Sequence, residues 1–285
     1  MSGPVGFNRR VEIAFNILQK RAADLKPAAS MLSDRLSKLF KESNSQTEIQ
    51  VGPDVVAMFT TVSVDMWVRA VHSFLVSAAL TETSPLWASV AGYYSSHYTV
   101  RAYAHLLGFF QIFSIKKVAQ LEIASGSEGF SCKFDSKDGK HREHKFYWKV
   151  VHAENALASS NLFVQNSHGS YASDCAHRER SNYHDHLGHC PQLNLVTKER
   201  LQDRLDRLSQ IDFNPPQIPR VSHFPDVDNV QLIAYHRLVH FRRNLDNILG
   251  DSNSSWREAR DPLCAKEWTS FQLLDVKSNP SQIGS

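Results

Sequence analysis

Residues 84–108 read SPLWASVAGYYSSHYTVRAYAHLLG, and this stretch decides the fold class. It is rich in alanine, leucine and aromatics, and its only glycines, Gly92 and Gly108, are weak breakers. Thr83 and Ser84 place hydroxyls where they can accept from the first free N–H groups of a helix. Pro85 suits the first turn because its missing N–H would be unbonded there anyway. The pattern predicts helix from Leu86 to Ile123, as one long rod or two stacked ones.

Upstream, Met66, Val68, Val71, Phe74, Leu75 and Ala78 form a second helical stripe, predicting helix over about 65–80. Val11, Ile13, Ala14, Ile17 and Leu18, then Met31, Leu32, Leu36 and Leu39, recur at helical spacing with a break near Pro27. These make residues 1–53 an N-terminal helical segment ending in a polar connector from Lys41 to Pro53.

Downstream, residues 130–151 read FSCKFDSKDGKHREHKFYWKVV and alternate around Asp138-Gly139, a turn-forming pair. A β-hairpin inserted at about 127–151 is expected. Helix resumes at about 153–162, and a Ser/Gly/His loop follows at 165–173. Thr197 can cap a helix bearing Leu201, Leu205, Leu208 and Ile211. The four prolines of 213–225 make a stiff connector, and a last helix runs from about Asp228 to Leu249, ended by Gly250. The expected architecture is mainly α: a helical bundle over 54–195 carrying the hairpin, a helical extension over 196–276 and a disordered tail over 277–285.

Composition narrows the function classes. With 42% hydrophobic and 21% charged residues the chain is ordinary for a globular protein. The opening MSGPVGFNRR has no apolar h-region and no run reaches membrane length, so a cytoplasmic address without membrane contact is expected. The cysteines Cys132, Cys175, Cys190 and Cys264 lack CxxC spacing and read as free thiols of a reducing compartment. A net charge of +3 does not by itself argue for nucleic acid. The absence of a phosphate-binding glycine loop, GxGxxG, HExxH and GxSxG disfavours nucleotide hydrolysis and dehydrogenase chemistry.

Reactive side chains concentrate in Cys175-Ala-His-Arg-Glu-Arg-Ser-Asn-Tyr-His-Asp-His-Leu-Gly-His-Cys190. Cys175, His177, His184, Asp185, His186, His189 and Cys190 are competent zinc ligands, though their spacing follows no closed zinc pattern. The same segment sets Arg178 six positions before His184 and Arg180 six before His186. An arginine can neutralise charge on a phosphate while a histidine moves a proton, and this pair needs no metal or other cofactor.

The segments WVRAVHSFLVSAAL (67–80), 84–108 and AHRERSNYHDH (176–186) together resemble the helical core and Arg-x(4–6)-His motif of the HEPN superfamily, over roughly residues 65–190. The resemblance implies a helical bundle and, as in many members, a metal-independent ribonuclease of toxin–antitoxin or antiviral defence systems, acting as a homodimer or with an antitoxin partner. It implies RNA cleavage by attack of the 2′-OH on the adjacent phosphate, leaving a cyclic phosphate end. Arg180, followed by the polar Ser181, would stabilise the phosphorane and His186 would act as base or acid; Arg178 and His184 are the alternative pair. Asn182 and Tyr183 could orient the pair or contact RNA. The family also has non-catalytic members, so a helical RNA- or protein-binding module stays open, as does a zinc-stabilised helical protein.

Three further groups are candidates. His97, Arg101 and His105 recur at i, i+4, i+8 and could line an RNA cleft or form the solvent face of their helix. His236 and His240 stand at i, i+4, without a carboxylate in the same turn. The lysines and arginine of the expected hairpin, Lys133, Lys137, Lys140, Arg142, Lys145 and Lys149, interleave with Phe134, Phe146, Tyr147 and Trp148. That pattern fits a phosphate-and-stacking surface or a strand with its aromatics inside.

Overall fold

The computed structural model describes residues 28–123, 129–136, 143–153, 203, 205–206 and 227–249. Among them the fold is mainly α, with five helices and a small antiparallel sheet. In chain order these are α1 (Ala28–Glu42), β1 (Glu48–Val51), α2 (Pro53–Leu80), α3 (Pro85–Leu106), β2 (Phe109–Ile112), β3 (Lys117–Ile123), β4 (Phe130–Ser136), α4 (Glu143–Ala153) and α5 (Val227–Leu249). No helix among the described residues is long and apolar enough to cross a membrane.

Helix α3 begins at Pro85, where the cap signals place it, but ends earlier than expected. Gly108 adopts φ 88, the left-handed conformation that closes a helix C-terminus, and its N–H bonds back to His105 O at 2.9 Å. The rest of the predicted rod is β2, a turn at Phe113–Lys116 and β3. Helix α2 starts twelve residues before the predicted start at 65, at Pro53. Its first turns carry β-branched residues of weak helix propensity, but Val55, Val56 and Val62 are buried, and burial outweighs that propensity.

The expected hairpin at 127–151 is half right. Its first half is β4, which pairs with β3 and β1; its second half is the helix α4. Phe146, Tyr147 and Trp148 are consecutive and all buried, which a strand exposing alternate side chains could not achieve; on a helix they span about 200°, so α4 is covered on more than one side. The polar connector also holds a strand, β1.

The chain forms two compact units. In the first, the sheet order is β1-β4-β3-β2 and every pair is antiparallel. Register puts Phe110, Ile112, Ala119, Leu121, Phe130, Cys132 and Phe134 on one face, all buried. That face meets α1 through Phe40 and Phe134 (ring centroids 5.2 Å apart) and α2 through Phe59 and Phe110 (6.3 Å, edge-on). The opposite face is polar over β3 and β4: Lys133 pairs with Glu122 at 2.6 Å and Ser131 donates to Glu48 at 2.9 Å. Ser63 Oγ donates to Ala102 O at 2.6 Å, and Asn244 donates to the Tyr103 hydroxyl at 2.8 Å, tying α2, α3 and the end of α5 within this unit.

The second unit holds α2 from Val68, α3 up to Thr99 and α5 up to Arg243. Gly92 lets α5 approach α3, because a Cβ there would lie 2.9 Å from Val230 Cγ1. Gln231 closes the joint: its Nε2 donates to Ser77 O, Ser77 Oγ and Thr81 Oγ1 at 2.8–3.0 Å, while Ser77 Oγ donates to Ala88 O. Asp203, Leu205 and Asp206 are helical there, with Leu205 buried and both acids exposed; the other members of the predicted stripe, Leu201, Leu208 and Ile211, lie outside the described residues.

Candidate functional site

Arg178, Arg180, Asn182, Tyr183, His184 and His186 lie outside the described residues, as do the zinc candidates between Cys175 and Cys190. Among the described residues no group of three or more His, Cys, Asp or Glu side chains could hold a metal.

The His97, Arg101, His105 stripe is described: His97 and His105 are buried and Arg101 is partly exposed. His97 belongs to the second unit, is 2% exposed and stacks on Tyr93 with an interplanar angle of 10°. Arg101 and His105 belong to the first unit. There His105 is fully buried between the rings of Phe110 and Tyr147, both at 5.3 Å, and the Arg101 guanidinium lies over the Tyr147 ring at 5.1 Å.

The geometry of β2 explains this cluster. Leu121 N donates to Gly108 O, so the alternation of an antiparallel ladder turns the N–H and C=O of Phe109 and Gln111 away from β3, toward the open sheet edge. His105 Nδ1–H donates to Phe109 O at 2.8 Å, and the Tyr147 hydroxyl accepts from Gln111 N at 3.4 Å. Two buried edge groups are thereby satisfied by side chains from α3 and α4. The bond at Nδ1 sets the neutral tautomer and leaves Nε2 with only a lone pair, which has no hydrogen-bond partner among the described residues. Burial first, and the Arg101 charge second, push His105 down to about 3, so near neutral pH it offers no proton to a substrate. Gln111, 2% exposed, likewise keeps its side-chain amide without a hydrogen-bond partner among the described residues.

The expected basic and aromatic surface divides in the same way. Phe134, Phe146, Tyr147 and Trp148 are buried and cannot stack on bases, while Lys145 and Lys149 point to solvent from α4. Lys137, Lys140 and Arg142 lie outside the described residues.

His236 and His240 lie on α5 in the second unit and are partly exposed, together with Arg242 and Arg243. Burial first, and Arg243 second, push His240 down to about 4; burial pushes the Tyr235 phenol up to about 12, with Arg243 and Arg242 opposing. The two arginines were not singled out in the sequence, although the absence of any acid between Asp228 and Asp246 was a visible signal.

No family model matches the chain, and no curated protein or solved structure matches it.

Proposed function

We infer that this chain is a HEPN-type, metal-independent endoribonuclease, a toxin-like effector acting in the cytoplasm as a homodimer or under an antitoxin partner. The observation that carries the reading is the Arg180-Ser-Asn-Tyr-His-Asp-His186 spacing in a mainly helical chain. In this reading Arg180 neutralises the charge of the phosphorane and His186 moves the proton, with Arg178 and His184 as the alternative pair. Asn182 and Tyr183 orient them or hold RNA.

A second reading is a non-catalytic RNA- or protein-binding helical module; the observation behind it is that His105, of the separate His97–Arg101–His105 stripe, is buried and caps a strand edge. One experiment separates the two. Purified protein is incubated with total RNA and tRNA in EDTA beside Arg180→Ala/His186→Ala. Cleavage by wild type alone, yielding cyclic phosphate ends, supports the ribonuclease. A folded, dimeric wild type that cleaves nothing supports the binding module. Loss of folding in EDTA or in His189→Ala supports a zinc-stabilised segment instead.

A further inference from the structure

The turn between β2 and β3 reads Phe113-Ser-Ile-Lys-Lys117 and rests on the end of α1. Ser114 Oγ lies 2.9 Å from Ser37 Oγ, and the Lys117 ammonium sits over the Phe40 ring at 5.3 Å while donating to Ser136 Oγ at 3.2 Å. Lys41 follows Ser37 by one helical turn on the same face of α1, which brings it beside the β2–β3 turn. All of these residues belong to the first unit.

Phe113 is 54% exposed, the one large apolar side chain of that unit classed as open to solvent among the described residues. A lone exposed ring is ordinary on a protein surface, and its setting is what distinguishes this one. Lys38, Lys41 and Lys116 are exposed on the same turn and helix end, and Lys117 partly so. Lys116 has φ 52, a left-handed conformation that glycine adopts at lower cost, so a charge is displayed where the backbone favours a bare residue. Carboxylates offset little of this. Glu42 pairs with Lys38 at 3.6 Å, Asp34 stands a turn before it on α1, and Asp135 of β4 lies on the opposite face of the sheet with Lys133. Lys41 and Lys116 have no ion-pair partner among the described residues.

An open aromatic ring next to lysines of this kind matches the two demands of a single-stranded nucleic acid: a base needs a flat apolar surface and its phosphates need cations. The apolar part is one ring with the partly exposed Ile115, small for a wedge that would hold a protein on a lipid surface.

We propose that the β2–β3 turn and the end of α1 bind single-stranded RNA, with the Phe113 ring stacking on a base and Lys41 and Lys116 meeting its phosphates. The assignment rests on the chain being RNA-directed, but not on its cleaving RNA. Stacking tolerates any base, and each phosphate contact releases counterions, so binding here is sequence-tolerant and salt-sensitive.

The test titrates the full-length protein against a fluorescein-labelled single-stranded RNA of mixed sequence across a range of salt, with thermal melts of each variant. Phe113→Ala should weaken binding about tenfold without changing the salt slope, and Phe113→Trp should restore it. Lys41→Gln/Lys116→Gln should weaken binding and lower the slope by about 0.7 for each lost phosphate contact, and Lys116→Arg should keep the slope. On the wild-type protein, photocrosslinking to RNA carrying 5-iodouridine should label the peptide that contains Phe113, a readout that needs no variant to fold. Folded variants with wild-type Kd and slope, crosslinks confined to other peptides, or a wild type that binds no RNA each overturn the proposal. Phe113-dependent binding to phosphatidylserine vesicles without RNA binding overturns it in favour of a lipid surface. Cleavage lost in Arg180→Ala/His186→Ala with affinity indifferent to Phe113 and the lysines removes this surface and leaves the ribonuclease standing. Binding that depends on them, without cleavage, does the reverse.

Discussion

His105 and Tyr147 close the same open strand edge from two helices, with their rings edge-on at 5.3 Å: one donates to Phe109 O, the other accepts from Gln111 N. A histidine, an arginine and a tyrosine gathered in this way would pass for catalytic machinery if their backbone partners were ignored. The hydrogen bonds show what these atoms do instead. They satisfy polar groups of an edge strand that would otherwise be buried unbonded, a loss of about 1–3 kcal/mol for each group.

Acid should loosen the protein through His105. Its folded value of about 3 lies below the free imidazole value of 6.5, so between the two the unfolded chain takes up a proton that the folded chain refuses. The contribution is complete above the unfolded value and is lost as pH falls toward the folded one, at up to about 1.4 kcal/mol per pH unit. His240, held at about 4, adds to the same loss. Urea midpoints should fall steadily from about pH 7 to about pH 4, and His105→Gln should flatten the slope. A midpoint that ignores pH in this window contradicts a buried neutral imidazole.

Tyr147→Phe removes the acceptor for Gln111 N while keeping the ring under Arg101. We expect a loss of about 1 kcal/mol. The Gln111 amide should exchange with solvent faster than the amides of β3, which a residue-resolved hydrogen-exchange measurement can follow. Unchanged protection at Gln111 would show that the hydroxyl is not its partner.

Gly92→Ala should destabilise the second unit even though alanine is the better helix former. The new Cβ would meet Val230 Cγ1 at 2.9 Å and Ser77 Oγ at 3.1 Å, against a stiff β-branched side chain and a serine already bonded to Gln231 and Ala88. Overpacking costs about 1–3 kcal/mol, against a propensity gain of about 1 kcal/mol. A thermal melt at or above the wild-type temperature would show that α5 can move away without loss.

Cys132 is fully buried on β4, and burial pushes its thiol up to about 12. With almost no thiolate at neutral pH it should resist iodoacetamide in the folded protein and react after unfolding in guanidinium. Rapid native labelling at Cys132, located by peptide mass spectrometry, would contradict its burial.

Much of the helical framework was legible because its signals are local. Ser84-Pro85 starts α3, Pro27 precedes α1, and the period of α5 carries through to Leu249, one residue before Gly250. The strands were less legible. FFQIF and KVAQLEI extend an apolar run that a helix could equally bury, and only the positive φ at Gly108 separates them from α3. The three adjacent aromatics of α4 were assigned to a strand because their neighbours alternate, and their simultaneous burial is a property of packing.

By itself, the sequence determined the mainly helical class, the start of α3, and the acid-free basic run of α5, because caps, periodicity and charge order are written within a few residues of one another. Tertiary structure alone decided that His105 is a neutral edge cap and that Phe146, Tyr147 and Trp148 are core. It also decided that Gly92 is a contact point rather than a breaker. Each of these depends on a partner distant in the chain: Tyr147 for His105, Phe109 for Phe146 and Val230 for Gly92. Burial and hydrogen bonding are set where segments meet, and a one-dimensional pattern does not contain that meeting.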